Sequence, residues 1–293
     1  MLHQLVEILA DGFVIGAIFA LGAAGFTMIF GVSGVLNLAH GSIMVIAALV
    51  AWFCAEHTPL GIYGGALVGI AASVASTYLL YGLVIRPLNH SKRIADNERP
   101  VFVLTATLLV AIILQGVLDY AFGSSPITTP TLIDGVWRVA GVTIPYSQIL
   151  IGVIAWLVLG ALWYFVTRTR PGKAMLAASM STTGLALVGY DIRKVQRQVW
   201  GLYGLLAGIA GVLLASFTGA SSDIAISLTV NAFIIVVLGG LGNVAGSLGA
   251  AYIIGFLGTL TAYLISPAIR EVPGLLALVL ILYIRPQGLF GRH

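Results

Sequence analysis

From Gly12 to Cys54 the chain carries no Asp, Glu, Lys or Arg. One crossing of a hydrocarbon core takes about 20 apolar residues, so this uncharged run holds more than one crossing. Near its middle stands "GVLNLAHGS", residues 34–42, with Asn37 and His40 among apolar neighbours. Two strong hydrogen-bonding side chains in that setting need partners, because an unpaired polar group away from water is costly.

The rest of the chain is of the same kind. Hydrophobic residues make up 59% and charged residues 8%, against about 25% charged in a soluble domain. Apolar stretches run over 8–32, 41–56, 61–85, 100–122, 147–167, 199–218, 228–265 and 273–285. Apolar residues lie all round them, which marks lipid-buried helices rather than amphipathic surface ones. Barrel strands would alternate polar and apolar positions. The expected fold is therefore all-α: a polytopic membrane helix bundle of eight or nine crossings, one transmembrane domain spanning residues 1–293.

Basic residues collect in three places: residues 86–99, residues 168–198, and the tail from Arg285 to Arg292. The positive-inside rule puts all three in the cytoplasm. In a membrane chain the net charge of +4 reports orientation, and no nucleic-acid partner is expected. The stretches 57–60, 123–146 and 219–227 hold a single basic residue, Arg138, and are expected outside. Counting back from Arg86 places the N-terminus outside. No Lys or Arg precedes Arg86, whereas a cleaved signal peptide begins with a basic region. The first apolar segment therefore reads as a retained span. Asp11 and Asp119 fall near outer span ends, where interfacial solvation is the simpler role.

The stretch 228–265 is too long for one span. "VLGGLGNVAGSLGAA", residues 237–251, interrupts it, and glycine-rich backbone leaves a helix easily. A short helix to about Leu238, a break, and a full helix are expected. The chain thus has one interruption in each half: Asn37, His40 and Gly41 in the first, and Gly239, Gly240, Gly242 and Asn243 in the second. Paired glycine-broken segments point to the central site of a transporter. Helix ends freed by such breaks present N–H groups to an anionic group and carbonyls to a cationic one, which suits a zwitterionic amino acid. Asn37 also reads as a helix cap, and His40 as a hydrogen-bond partner for a neighbouring helix carbonyl. Glycines four apart recur at Gly12 and Gly16, Gly65 and Gly69, Gly204 and Gly208, and Gly242 and Gly246; small residues at that spacing let helices pack closely.

No nucleotide-binding G-x-x-x-x-G-K-[ST] occurs, since "PGKAM" at 171–175 lacks the first glycine and the Ser/Thr. No H-E-x-x-H or G-x-S-x-G occurs, and Cys54 is the only cysteine. No metal, cofactor or catalytic residue is expected on this chain, and a conduit is a better reading than an enzyme acting on lipid. Energy would come from another subunit. The segment 168–198 is long for a loop and carries helix formers followed by a breaker at Gly189, as a docking helix for a partner ATPase would. Anionic lipid headgroups are the other partner its basic flanks suit. A passive channel is a further reading of the glycine breaks.

The motifs resemble one family throughout. Gly34, Asn37, Ala39, His40 and Gly41 resemble the hallmark of the LivH-type permeases of branched-chain amino-acid importers. Ala232, Phe233, Gly239, Gly240, Leu241, Gly242, Gly249 and Ala250 resemble a later signature. "GLLAGIAGVL" at 204–213 and the close "RPQGLFG" complete the set in order. The resemblance implies a multi-pass subunit of the bacterial inner membrane in an ATP-binding-cassette importer. Its partners would be a second, LivM-like permease, two LivG- and LivF-like ATPases that use the ATP, and a periplasmic binding protein. It also implies coupling to the ATPases through residues 170–192, with Gly172, Lys173, Gly189 and Asp191 in place. Leu176 departs from the family's usual Arg there. Relatives of this type also serve urea, short amides and other amino acids.

Overall fold

The computed structural model describes residues 2–290 apart from 92, 96, 130, 131, 140 and 141. Lys92, Gly291 and Arg292, counted above among the basic and tail residues, lie outside the described residues. The elements follow the apolar stretches closely. They are α1 (Leu2–Ser33), α2 (His40–His57), α3 (Gly61–Leu80), α4 (Arg86–His90), α5 (Arg99–Phe122) and α6 (Tyr146–Arg168). A π-turn over Tyr81–Ile85 joins α3 to α4 in one rod. Next come α7 (Arg170–Met180), α8 (Thr182–Leu187), α9 (Ile192–Thr218), α10 (Ile224–Gly239), α11 (Val244–Leu264) and α12 (Val272–Ile284).

Among the described residues eight helical segments are long and apolar enough to cross a bilayer, and α10 is a shorter apolar helix. The expected division of 228–265 is observed, with α10 ending at Gly239 and α11 starting at Val244. Two local expectations change. The outer stretch 123–146 contains a hairpin, with Val136–Val139 antiparallel to Val142–Pro145 and Trp137 opposite Ile144. The segment after Arg168 forms two helices instead of one. Ser181 leaves helical geometry and its hydroxyl accepts from the Gly184 N–H, capping a second helix where the first ends.

The core is built around α1 and α9. Burial of the apolar window is 89% in α1 and 72% in α9 but 6% in α12, so α12 lies at the periphery. Small residues set the spacing. A Cβ on Gly255 of α11 would sit 2.7 Å from the Gly16 Cα of α1, and one on Gly208 of α9 would sit 2.9 Å from Ser73 Cβ of α3. The glycine pairs of the sequence therefore serve packing within the chain.

The two ends differ. At one, Arg86, His90 and Arg193 share a cleft and the Leu289 N–H donates to the Leu238 carbonyl at 2.7 Å, so the basic segments gather together. At the other, Ile127 bridges to Ala220 and the Tyr63 hydroxyl donates to the Leu132 carbonyl at 2.8 Å. Asp11 lies at this second end. Its carboxylate accepts from Gln148 Nε2 and from the Tyr263 hydroxyl, each at 2.6 Å. It ties α1, α6 and α11 together instead of simply facing solvent. Asp119 accepts from the Ser222 hydroxyl.

Candidate functional site: two broken helices

The first break, residues 34–39, is enclosed by protein. Asn37 and His40 are fully buried, and so is Tyr203 of α9. Asn37 Nδ2 donates to the Tyr203 hydroxyl at 2.9 Å, and that hydroxyl lies 2.9 Å from His40 Nδ1. With the Tyr203 O–H donating to Nδ1, the proton of a neutral His40 lies on Nε2. That nitrogen has no partner; it faces the wall formed by Gly22 and Met44. His40 thus binds a tyrosine hydroxyl instead of the helix carbonyl expected from sequence.

The backbone of this break is satisfied from other helices. Asn37 Oδ1 accepts from the Ala39 N–H at 3.0 Å. The Leu38 N–H donates to Thr107 Oγ1 of α5 at 3.2 Å, and the Gly41 N–H donates to Thr229 Oγ1 of α10 at 2.9 Å. Gly41 has to be glycine, because a Cβ there would fall on the Ala225 carbonyl of α10. Backbone groups away from water must be paired, and α5 and α10 supply the hydroxyls that pair them here. Tyr203, Thr107 and Thr229 were not among the residues expected from sequence. They carry no local motif, and each stands far along the chain from the break.

The second break, residues 240–243, is built differently. Gly240 and Gly242 take φ of 96° and 83°, where side chains are strained. Asn243 caps α11, its Oδ1 accepting from the Gly246 N–H at 3.1 Å, and its Nδ2 donates to the Phe290 carbonyl at 2.8 Å. With the bond from Leu289, the tail closes the end of α10. Two of the sequence signatures, the glycine run and the tail, are one structural unit. A Cβ on Gly31 at the end of α1 would lie 3.6 Å from Gly242 Cα and 3.1 Å from Ser179 Cβ of α7. Here a cleft of about 650 Å³ opens, lined by Met28, Leu159, Met175, Ser179 and Asn243 among others.

The remaining expected positions lie in and beside α7 and α8. Gly172 packs in the first turn of α7, where a Cβ would strike the Phe165 carbonyl, and its N–H is capped by Thr169 Oγ1 at 3.1 Å. Lys173 is exposed. Gly189, at φ 85°, turns the chain from α8 into α9, which Asp191 caps by accepting from the Arg193 N–H at 2.9 Å. Leu187 and Val188 are 84% and 71% exposed, so this corner presents an apolar surface at the basic end. The two breaks are not hydrogen-bonded to each other; they approach through the last turns of α1.

Membrane-spanning helices, one buried break and one break beside a cleft define a multi-pass membrane permease. Residues 8–284 match the family model described as the permease component of a branched-chain amino-acid transport system. The chain belongs to this family and to the bacterial inner membrane in which its members work. It is 29% identical to the high-affinity branched-chain amino-acid permease LivH of Escherichia coli K12, over 96% of this chain and 94% of that one. It is 27% identical to BraD of Pseudomonas aeruginosa, over 99% and 97%. The ribose import permease RbsC of E. coli K12 is 29% identical over 81% and 72%. Among solved structures, PsaBC from Streptococcus pneumoniae in complex with Fab superposes with a TM-score of 0.54 at 12% identity. The match covers 98% of this chain and 97% of that one, and it shows a shared fold.

Proposed function

We propose that this chain forms the membrane pathway of an ATP-driven importer for branched-chain amino acids. The observation that carries the reading is the family match over residues 8–284, together with the nearly end-to-end alignment with LivH and BraD. The chain binds no cofactor and catalyses no reaction. It pairs with a second, LivM-like permease and receives substrate from a periplasmic binding protein. Two LivG- and LivF-like ATPases bind and hydrolyse the ATP and dock on α7 and α8. The breaks at Asn37–Gly41 and Gly239–Asn243 serve as the hinges of alternating access. The helix α9 supports this division of labour. It starts beside Gly189 and Asp191 and carries Tyr203 about 18 Å further on, so movement at the docking corner reaches the first break through one rod.

Reconstitution of the complex in liposomes tests the reading. Leucine uptake is expected only with ATP and loaded binding protein, and urea is expected not to compete. Steady solute flux through this chain alone would make it a channel instead. Within the same assay, Gly189→Leu forces a side chain onto a backbone at φ 85°. Substrate-stimulated ATP hydrolysis should fall several-fold while the complex still assembles; undiminished stimulation would remove 170–192 from the coupling role.

A further inference from the structure

The acidic residue that opens the last apolar segment belongs to none of the motifs above. Glu271 immediately precedes α12, within the stretch Pro267–Ile284 that is itself able to span. Its Oε1 accepts from the Ser227 hydroxyl and, at 3.5 Å, from Asn231 Nδ2. Both donors stand on α10, one turn apart. Asn231 is only 7% exposed. Among the described residues no hydrogen bond or ion pair reaches Glu271 Oε2, Asn231 Oδ1 or the guanidinium of Arg270. All three residues line one cleft, together with Phe19 of α1 and Gly255 of α11. Glycines at 255, 258 and 274 and the apolar residues Ile15 and Ile254 complete its walls. The cleft has about 10 Å³ of free space, room for a single water.

Glu271 stands near the end of a span and is half-buried, and an ionisable residue in such a segment is read with its partners. Here two donors hold one carboxylate oxygen, and the other, like the Asn231 amide oxygen, has no partner among the described residues that line this cleft. Two acceptors around a water-sized space suit an ammonium group. Arg270 lines the same cleft, and its guanidinium, which pairs with neither acceptor, suits a carboxylate. We propose that Glu271, Asn231 and Arg270 form a subsite for the zwitterionic head of an α-amino acid, the first two receiving the ammonium and Arg270 the carboxylate. The proposal rests on the importer reading above. With about 10 Å³ of free space the cleft has room for the ammonium alone. The carbon skeleton enters when α12, with 6% of its window buried, shifts away from α10 and α11.

The test uses the complete reconstituted transporter, with leucine uptake counted per ATP hydrolysed. Glu271→Gln keeps the shape and removes the charge. It should lower that ratio at least tenfold while basal and binding-protein-stimulated ATPase activities stay within twofold, and Glu271→Asp should recover part of the loss. A purely structural role would lower assembly and basal hydrolysis together and leave the ratio intact. Arg270→Gln, at a side chain with no partner to lose among the described residues, should also lower the ratio; if Glu271→Gln fails to assemble, this variant decides. Wild-type ratios in the assembled variants overturn the subsite alone. A wild-type complex that imports no branched-chain amino acid overturns the importer reading, and the subsite with it.

Discussion

The two breaks look alike as sequence, each an asparagine with glycines inside an apolar run, and they are opposites as structures. At the first, hydroxyls from α5 and α10 reach in to satisfy the backbone, Tyr203 of α9 holds the side chains of Asn37 and His40, and all three are sealed from solvent. At the second, the chain satisfies itself locally through Asn243 and borrows only the tail, beside an open cleft. A break held by distant helices changes only when those helices move. A break capped by its own residue can flex without them. The pair therefore supplies one element tied to the whole bundle and one tied to the end where α7 and α8 lie.

The largest contrast is expected in accessibility. In a background with Cys54 replaced, Leu241→Cys, at a site 50% exposed, should react with a water-soluble thiol reagent at least about tenfold faster than Ala39→Cys, at a site fully buried. Equal rates would erase the distinction. Next comes Gly41→Ala, which places a Cβ on the Ala225 carbonyl and should cost about 3 kcal/mol, read as a lower Tm of the purified protein. Gly242→Ala, whose Cβ has only the Gly31 Cα at 3.6 Å, should cost about 1 kcal/mol through its backbone angle alone. Tyr203→Phe removes two hydrogen bonds and strands Asn37 and His40 in the interior; about 2 kcal/mol is expected by the same measurement. Asn243→Ala should likewise cost about 1 kcal/mol, for a lost cap. An Asn243 variant less stable than the Tyr203 variant would reverse the ranking of the two breaks.

Much was legible in the chain itself. Helix ends came out within a few residues because the hydropathy of a span is a local property. The exceptions are α1 and α9, which begin at Leu2 and Ile192 with turns ahead of their apolar stretches, and α7 with α8, where the Ser181 cap divides what reads as one helix. Both breaks were visible, since Gly240 and Gly242 advertise angles other residues avoid. The partners of the first break were not, because Thr107 and Tyr203 look like any polar residue in a span. Glu271 stood in plain view as a charge at the start of an apolar segment. Nothing nearby in the chain announced that Ser227 and Asn231 would meet it.

Hydropathy, the placement of Lys and Arg, and the backbone freedom of glycine act over one helix or one turn, so the sequence alone determined that this is a bundle of membrane helices, which ends gather the positive charge, and where two helices break. Hydrogen bonds in a dry interior are made between whichever helices pack together, at any separation along the chain. Only the tertiary structure could decide that one break is a sealed knot around Tyr203 while the other is a capped turn beside a cleft.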